Sequence, residues 1–179
     1  IAHGNDGGGS VRIPAANTGL YGLKRSRGRS SRWPDTHALS NPTSVAHALT
    51  TTVRDSALLL DIICDGVPGE PFGARSPRST FLDAATREPG RLRIGVVTDA
   101  PGGVVTHPEA VAGVREAAEL LASLGHQVSD AVATWDTADV MASSANLMGA
   151  NLVGTVNTRL ARLGRALADD DLEPFTRMM

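Results

Sequence analysis

The segment Gly4-Asn5-Asp6-Gly7-Gly8-Gly9-Ser10-Val11-Arg12-Ile13-Pro14-Ala15-Ala16 concentrates the residue types best able to do chemistry in this chain. Three successive glycines leave three backbone N–H groups unobstructed and able to turn toward one point. A serine follows where a helix would begin, and the positive end of a helix dipole adds to the field there. Such a loop can hold a phosphate, can form an oxyanion hole beside a nucleophile, or can be a tight structural turn. Gly4-x-x-x-x-Gly9 followed by Ser10 nearly spells a P-loop, but the lysine required before the hydroxyl residue is absent and no strand is predicted ahead of it.

The glycine density predicts neither helix nor strand over His3–Ser10. A short helix is expected just after Ser10, with Pro14 tolerated in its first turn. Leu20–Lys24 reads as a short strand and Arg25–Pro42 as loop. Thr52-Val53-Arg54-Asp55 is a Thr-x-x-Asp capping pattern that opens an apolar helix. Val53, Ala57, Leu60 and Cys64 share one face of it, and Leu58, Leu59, Ile62 and Ile63 widen that face, which predicts a buried helix ended by Gly66. Residues 67–90 read as a long loop with a turn near Phe81-Leu82.

Strand Arg91–Val97, a Pro-Gly-Gly loop, helix Pro108–Leu124 and strand His126–Val132 form a βαβ unit over about 91–132. Helices are expected over roughly Thr137–Gly149 and Leu152–Leu167, with a helical turn opening at Leu172–Met179. Strands and helices in this order make the fold class α/β.

The 179 residues allow one core, about two fifths of them apolar, and the net charge of -2 points to no nucleic-acid or membrane partner. The single cysteine, Cys64, excludes an intrachain disulfide and a cysteine-cluster metal site. The basic run Lys24–Arg32 carries five positive charges in nine residues without interleaved aromatics, and reads as a solvated or salt-bridged loop. His3, with Asp6 or Asp35, invites a triad reading, but nothing in the sequence places it near Ser10. His37, His47, His107 and His126 show no metal-ligand spacing and read as loop, cap or surface residues.

Asp6-Gly-Gly-Gly-Ser10-Val-Arg12-Ile-Pro14-Ala, continued by Gly19-Leu-Tyr-Gly22-Leu-Lys24, resembles the core of the amidase signature family. That signature runs Asp-x-Gly-Gly-Ser-Ile-Arg-x-Pro-Ala and continues to Gly-Leu-Lys-Pro. Arg27-Gly-Arg-Ser30, Thr52-Val-Arg-Asp55-Ser-Ala-Leu-Leu-Leu-Asp61, Leu92-Arg-Ile94 and Leu124-Gly-His-Gln-Val128 follow in the family's order, the likeness weakening beyond Thr134. Thr18, where many members carry Cys, and Arg25, where proline usually follows, depart from the pattern.

The resemblance implies an α/β fold in which this chain forms part of a mixed sheet covered by helices, and a seryl acyl-enzyme amide hydrolase with Ser10 as nucleophile. It implies an oxyanion hole from the amides of Gly7, Gly8, Gly9 and Ser10, with Asp6 and Arg12 bracing the loop. It implies no cofactor and no metal, and a small-molecule amide as substrate. The family's base is a lysine acting through a bridging serine, and both precede the nucleophile loop in sequence not present in this chain. Lys24 sits at the Gly-Leu-Lys position, without the base's role, and Ser30 and Ser31 read as ordinary loop serines. Ile1 is not an initiator Met and Met179 follows no stop signal. The chain is thus read as an internal part of an amidase signature domain, comprising nucleophile loop 4–16, the βαβ unit and a helical part over about 137–179. Its expected partners are the remaining N- and C-terminal parts of the same enzyme, with a homodimer compatible and a cytoplasmic location expected. General bacterial amidases and nylon-oligomer hydrolases are the members most similar in feel. The alternatives are a non-catalytic fragment or one half of a split amidase, and a subunit of a glutamine-dependent amidotransferase.

Overall fold

The computed structural model describes residues 1–34, 42–64, 66–70, 72–75 and 77–178. His37 lies outside the described residues, as do Asp35, Asp65 and most of the second half of the expected 25–42 loop. The chain divides into two compact units, one of Ile1–Arg87 with Asn151–Ala166, the other of Glu88–Ala150 with Leu167–Met179.

In the first unit, strand β1 (Ala2–Asp6) leads through the glycine loop into helix α1 (Arg12–Thr18), followed by β2 (Tyr21–Gly22) and β3 (Val45–Thr50). The strands form an antiparallel sheet in the order β1-β3-β2, with Asp6 opposite Val45, Gly4 opposite His47 and Gly22 opposite Leu49. The expectation that no strand runs through His3–Asp6 is corrected here. Pairing with β3 outweighs glycine's entropic cost, and at Gly4 the space is tight: a Cβ there would meet Val11 Cγ2 at 3.1 Å. The central strand β3 itself was not anticipated. Val45 and His47 on one face and Ala48 and Thr50 on the other are all buried, so it lacks the alternation that marks a half-exposed strand.

Helix α1 presses onto β2, where a Cβ on Gly22 would meet the Ala15 Cβ at 2.6 Å. Helix α2 (Val53–Ile63) begins as expected, with Thr52 Oγ1 accepting the Asp55 N–H at 3.0 Å. Its buried face is Ser56, Ala57 and Leu60, whereas Val53, Leu58 and Ile62 are exposed, so the all-round burial expected of it is corrected. Helix α3 (Phe81–Thr86) fulfils the expected turn. The Asp61 carboxylate accepts its first two N–H groups, Phe81 at 2.6 Å and Leu82 at 3.0 Å, and Thr80 Oγ1 accepts that of Asp83 at 3.0 Å. Three of the four orphan donors of that helix start are thereby satisfied.

The second unit contains the βαβ arrangement: β4 (Arg93–Val96), α4 (Pro108–Ser123) and β5 (Gln127–Asp130), with β4 and β5 parallel and Ile94 opposite Val128. Pro101–Gly103 forms a 3₁₀ turn between β4 and α4. His107 caps α4 through Nδ1, which accepts the Glu109 N–H at 3.3 Å, and His126 Nδ1 accepts the Leu92 N–H at 3.2 Å. The two helices expected over 137–167 are one, α5 (Thr137–Leu163), which runs through Gly149 and Gly154. A glycine inside a helix costs about 1 kcal/mol, too little to break one of this length. Helix α6 (Pro174–Met178) ends the described chain. The α/β class read from the sequence thus holds, with its antiparallel and parallel strands in two small sheets.

Candidate active site

The loop that follows β1 is organised by one carboxylate. Asp6 ends the strand with its side chain fully buried, and Oδ1 accepts the Gly9 N–H at 2.8 Å. Oδ2 accepts the N–H groups of Val11 and Arg12, both at 3.4 Å. Val11 stands at the cap of α1 and supplies no side-chain acceptor, so Asp6 caps the helix from five and six residues upstream. The Arg12 guanidinium closes on the same group in a fork, Nε to Oδ2 at 2.9 Å and Nη2 to Oδ1 at 3.0 Å. Lys24 adds a third attachment: Nζ donates to the Asp6 carbonyl at 2.5 Å, to Asp6 Oδ1 at 3.3 Å and to the Thr43 carbonyl at 2.6 Å.

The consequence is electrostatic as well as mechanical. The Arg12 fork, with the Gly9 N–H and Lys24 acting in the same sense and burial opposing them, holds the Asp6 carboxyl well below its ordinary value of 3.8. One anion shared by two cations leaves net positive charge beside the glycine loop. Asp6 and Arg12, expected as braces, are joined directly to each other.

The three glycines do different work. Gly9 has φ +129°, and a Cβ there would meet Ile13 Cδ1 at 2.6 Å, so the fold itself demands glycine. Its N–H is taken up by Asp6 in this conformation. Nothing lies within 4 Å of a Cβ built on Gly8, and a Cβ on Gly7 would meet only Ser44 Cβ at 4.0 Å. Among the described residues the N–H groups of Gly7, Gly8 and Ser10 have no hydrogen-bond partner and do not enter the sheet. Ser10 is exposed, its Oγ has no partner among the described residues, and α1 starts two residues later. The arrangement offers an accessible hydroxyl beside bare amides and positive charge.

No base accompanies that hydroxyl among the described residues. The three N–H groups of Lys24 are all committed to acceptors. His3 is exposed and falls on the face of β1 opposite to Asp6. Ser30 is buried, its carbonyl accepting from Arg25, and Ser31 Oγ accepts the Trp33 N–H at 3.0 Å. Much of the basic run is spent internally: Arg25 is buried with Nε on the Ala46 carbonyl at 2.7 Å, and Arg29 donates to the Arg75 carbonyl while stacking over Phe81.

Sequence reasoning missed two features. Lys24 was placed in its motif but given no task. His47, read as a loop, cap or surface residue, is instead buried in β3 with Nε2 2.7 Å from Ser56 Oγ. Burial, with Arg25 adding, pushes its imidazole below the ordinary value, so it is neutral at neutral pH.

Comparison with known proteins bears on this geometry. The family model described as Amidase matches residues 1–162. A 6-aminohexanoate-cyclic-dimer hydrolase of Paenarthrobacter ureafaciens is 37% identical over 178 residues, covering 97% of this chain and 36% of that protein. The structure of 6-aminohexanoate cyclic dimer hydrolase complexed with substrate superposes with a TM-score of 0.86 at 34% identity, over 99% of this chain and 38% of the other. A bacterial aryl acylamidase of the amidase signature enzymes superposes with a TM-score of 0.77 at 26% identity, over 99% of this chain and 37% of the other. The chain thus spans little more than a third of the length of these relatives.

Proposed function

The chain belongs to the amidase family, and from that premise we propose that it carries the nucleophile and oxyanion-binding loop of an enzyme that hydrolyses carboxamides. The observation that carries the proposal is the loop built on Asp6. An exposed Ser10 hydroxyl stands beside the unpartnered amides of Gly7, Gly8 and Ser10, with two cations fixed behind them.

In this reading Ser10 Oγ attacks the amide carbonyl carbon and its proton passes to a base. The base is a lysine relayed by a serine, supplied by sequence preceding this segment in the full-length polypeptide, as the family resemblance implies. The carbonyl oxygen gains the negative charge and is received by the free amides, where fixed donors stabilise it without reorganising. Collapse of the tetrahedral adduct breaks the C–N bond, and the amine leaves with the relayed proton. Water then cleaves the seryl ester, releasing the acid and restoring Ser10. Asp6, Arg12 and Lys24 touch no reacting atom; they hold the loop.

The substrate class follows the relatives. A cyclic amide of 6-aminohexanoate and an aryl amide are the two classes that the matched proteins are named for, and a small linear or cyclic amide is the substrate we propose. The test is turnover of both amides by the full-length polypeptide and by its Ser10→Ala variant. A loss of several orders of magnitude in kcat with the fold retained supports the reading, and substantial residual turnover overturns it.

A further inference from the structure

The geometry points to Lys24 as a positioning residue that aims and strengthens one oxyanion-hole donor, the N–H of Gly7, through the peptide bond between Asp6 and Gly7. This inference rests on the reading of the loop as an oxyanion hole. The reach of the side chain is the first part of the argument. β1 and β2 lie on either side of β3, and Lys24 follows β2 by two residues while Asp6 closes β1. From there its ammonium crosses the start of β3 to reach the Asp6 carbonyl and the Thr43 carbonyl, at 2.5 and 2.6 Å. With Asp6 Oδ1 at 3.3 Å, three acceptors meet the three donors that an ammonium possesses.

The second part is covalent geometry. The Asp6–Gly7 peptide is trans and planar, so its N–H points opposite to its C=O. Anchoring the Asp6 carbonyl on Lys24 therefore fixes the direction of the Gly7 N–H, which has no partner among the described residues. Without that anchor a glycine-flanked peptide can rotate, since Gly7 opposes no such motion with a side chain. The third part is polarisation. A cation on the carbonyl oxygen draws electron density from the amide nitrogen, and hydrogen bonds in such chains strengthen one another. The same contact thus aims the donor and sharpens it.

Arg12 cannot replace this function. Its fork engages the carboxylate oxygens alone, so it holds the Asp6 side chain and leaves the Asp6 carbonyl to Lys24. Lys24 is also placed to join the loop to the segment entering β3, because Thr43 lies two residues before Val45.

The experiment compares Lys24→Met, Lys24→Arg and Ser10→Ala with the parent in the full-length polypeptide. The readouts are kcat and KM on an aryl amide, the affinity for a trifluoromethyl ketone that forms a tetrahedral seryl adduct, and the unfolding midpoint. Removing an oxyanion donor outright costs about 10²–10³-fold in kcat, so misaiming one should cost about 10–100-fold. The expected result for Lys24→Met is that loss in kcat, a matching loss of ketone affinity, and KM within about twofold of the parent. Lys24→Arg keeps the charge but spreads its donors in a plane, and should lie between parent and Met variant. Parent-like kcat and ketone affinity in Lys24→Met overturn the inference, as does a fall in stability with a raised KM and ketone affinity intact. Should Lys24→Met fail to fold, parent-like kcat in Lys24→Arg is the overturning result. Ser10→Ala separates the two levels: turnover retained there defeats the reading of the loop itself, whereas turnover lost there but kept in Lys24→Met defeats only the role of Lys24.

Discussion

Replacing Asp6 with Asn changes one oxygen for an NH₂ group and removes a charge, with almost no change of shape. In the native loop every neighbour of that carboxylate is a donor: the N–H groups of Gly9, Val11 and Arg12, the Arg12 fork and the Lys24 ammonium. An amide nitrogen there points donor against donor whichever way it is turned. Removing one partner of a buried ion pair costs about 3–5 kcal/mol when the other charge stays buried. Here the Arg12 side chain is 50% exposed and the Lys24 side chain 27%, so both cations can recover water, which lowers the cost. Hydrogen bonds to charged groups contribute about 1.5–3 kcal/mol each but not additively within one network. We expect Asp6→Asn to destabilise by about 2–4 kcal/mol, with kcat reduced further than stability alone explains because the glycine loop loses its anchor. Urea unfolding of the full-length parent and variant measures the first, and steady-state turnover the second. The sign with pH provides an internal check. The folded-state value of Asp6 is depressed, so its stabilisation is fully present above the ordinary 3.8 and is lost as pH falls below it. The gap between parent and variant should therefore narrow in that acid range. A change under about 1 kcal/mol with full turnover, or a gap independent of pH below 3.8, refutes the account of Asp6.

Gly9→Ala and Gly8→Ala should separate folding from chemistry. The first forces a Cβ to within 2.6 Å of Ile13 at φ +129° and should lower the unfolding midpoint. The second meets open space and should leave the midpoint near the parent's while lowering kcat. Ser56→Ala strips the buried His47 of its hydrogen-bond partner at Nε2 and should cost about 1–3 kcal/mol by urea unfolding. His47 is held below its ordinary 6.5, so the folded state binds fewer protons than the unfolded one and stability should fall as pH drops below 6.5; His47→Gln should flatten that slope. Residues 1–179 alone, without a base beside Ser10, should give no measurable aryl amide turnover, and turnover abolished by Ser10→Ala would show that a base exists among them.

Local signals were legible in this sequence and contacts across long separations were not. The Thr52 cap, the prolines of α1 and α4, and the order strand, helix, strand over 91–132 could be read because each depends on neighbours within one or two turns. β3 escaped because Val45-Ala46-His47-Ala48-Leu49-Thr50 is buried on both faces and offers no period-2 contrast. β1 escaped because glycine's local preference was given more weight than a partner strand some forty residues away. The site divides the same way. Ser10, the glycines, Asp6 and Arg12 lie within seven residues of one another and were visible as a motif, whereas the direct pairing of Asp6 with Arg12 was not. Lys24 acts on residues 18 and 19 positions away, and no spacing rule connects them. The commitment of the Gly9 N–H to Asp6 was likewise invisible, because a run of glycines does not say which amide a side chain will take.

The central claim is that Ser10 is the residue that becomes acylated. The most direct measurement is peptide mass spectrometry of the full-length polypeptide after reaction with a fluorophosphonate, an irreversible label for activated serine hydroxyls. The account predicts stoichiometric label on the peptide containing Ser10, abolished by Ser10→Ala and slowed by Asp6→Asn. Label on another serine with amide turnover intact, or full turnover in a chain without a hydroxyl at position 10, contradicts it.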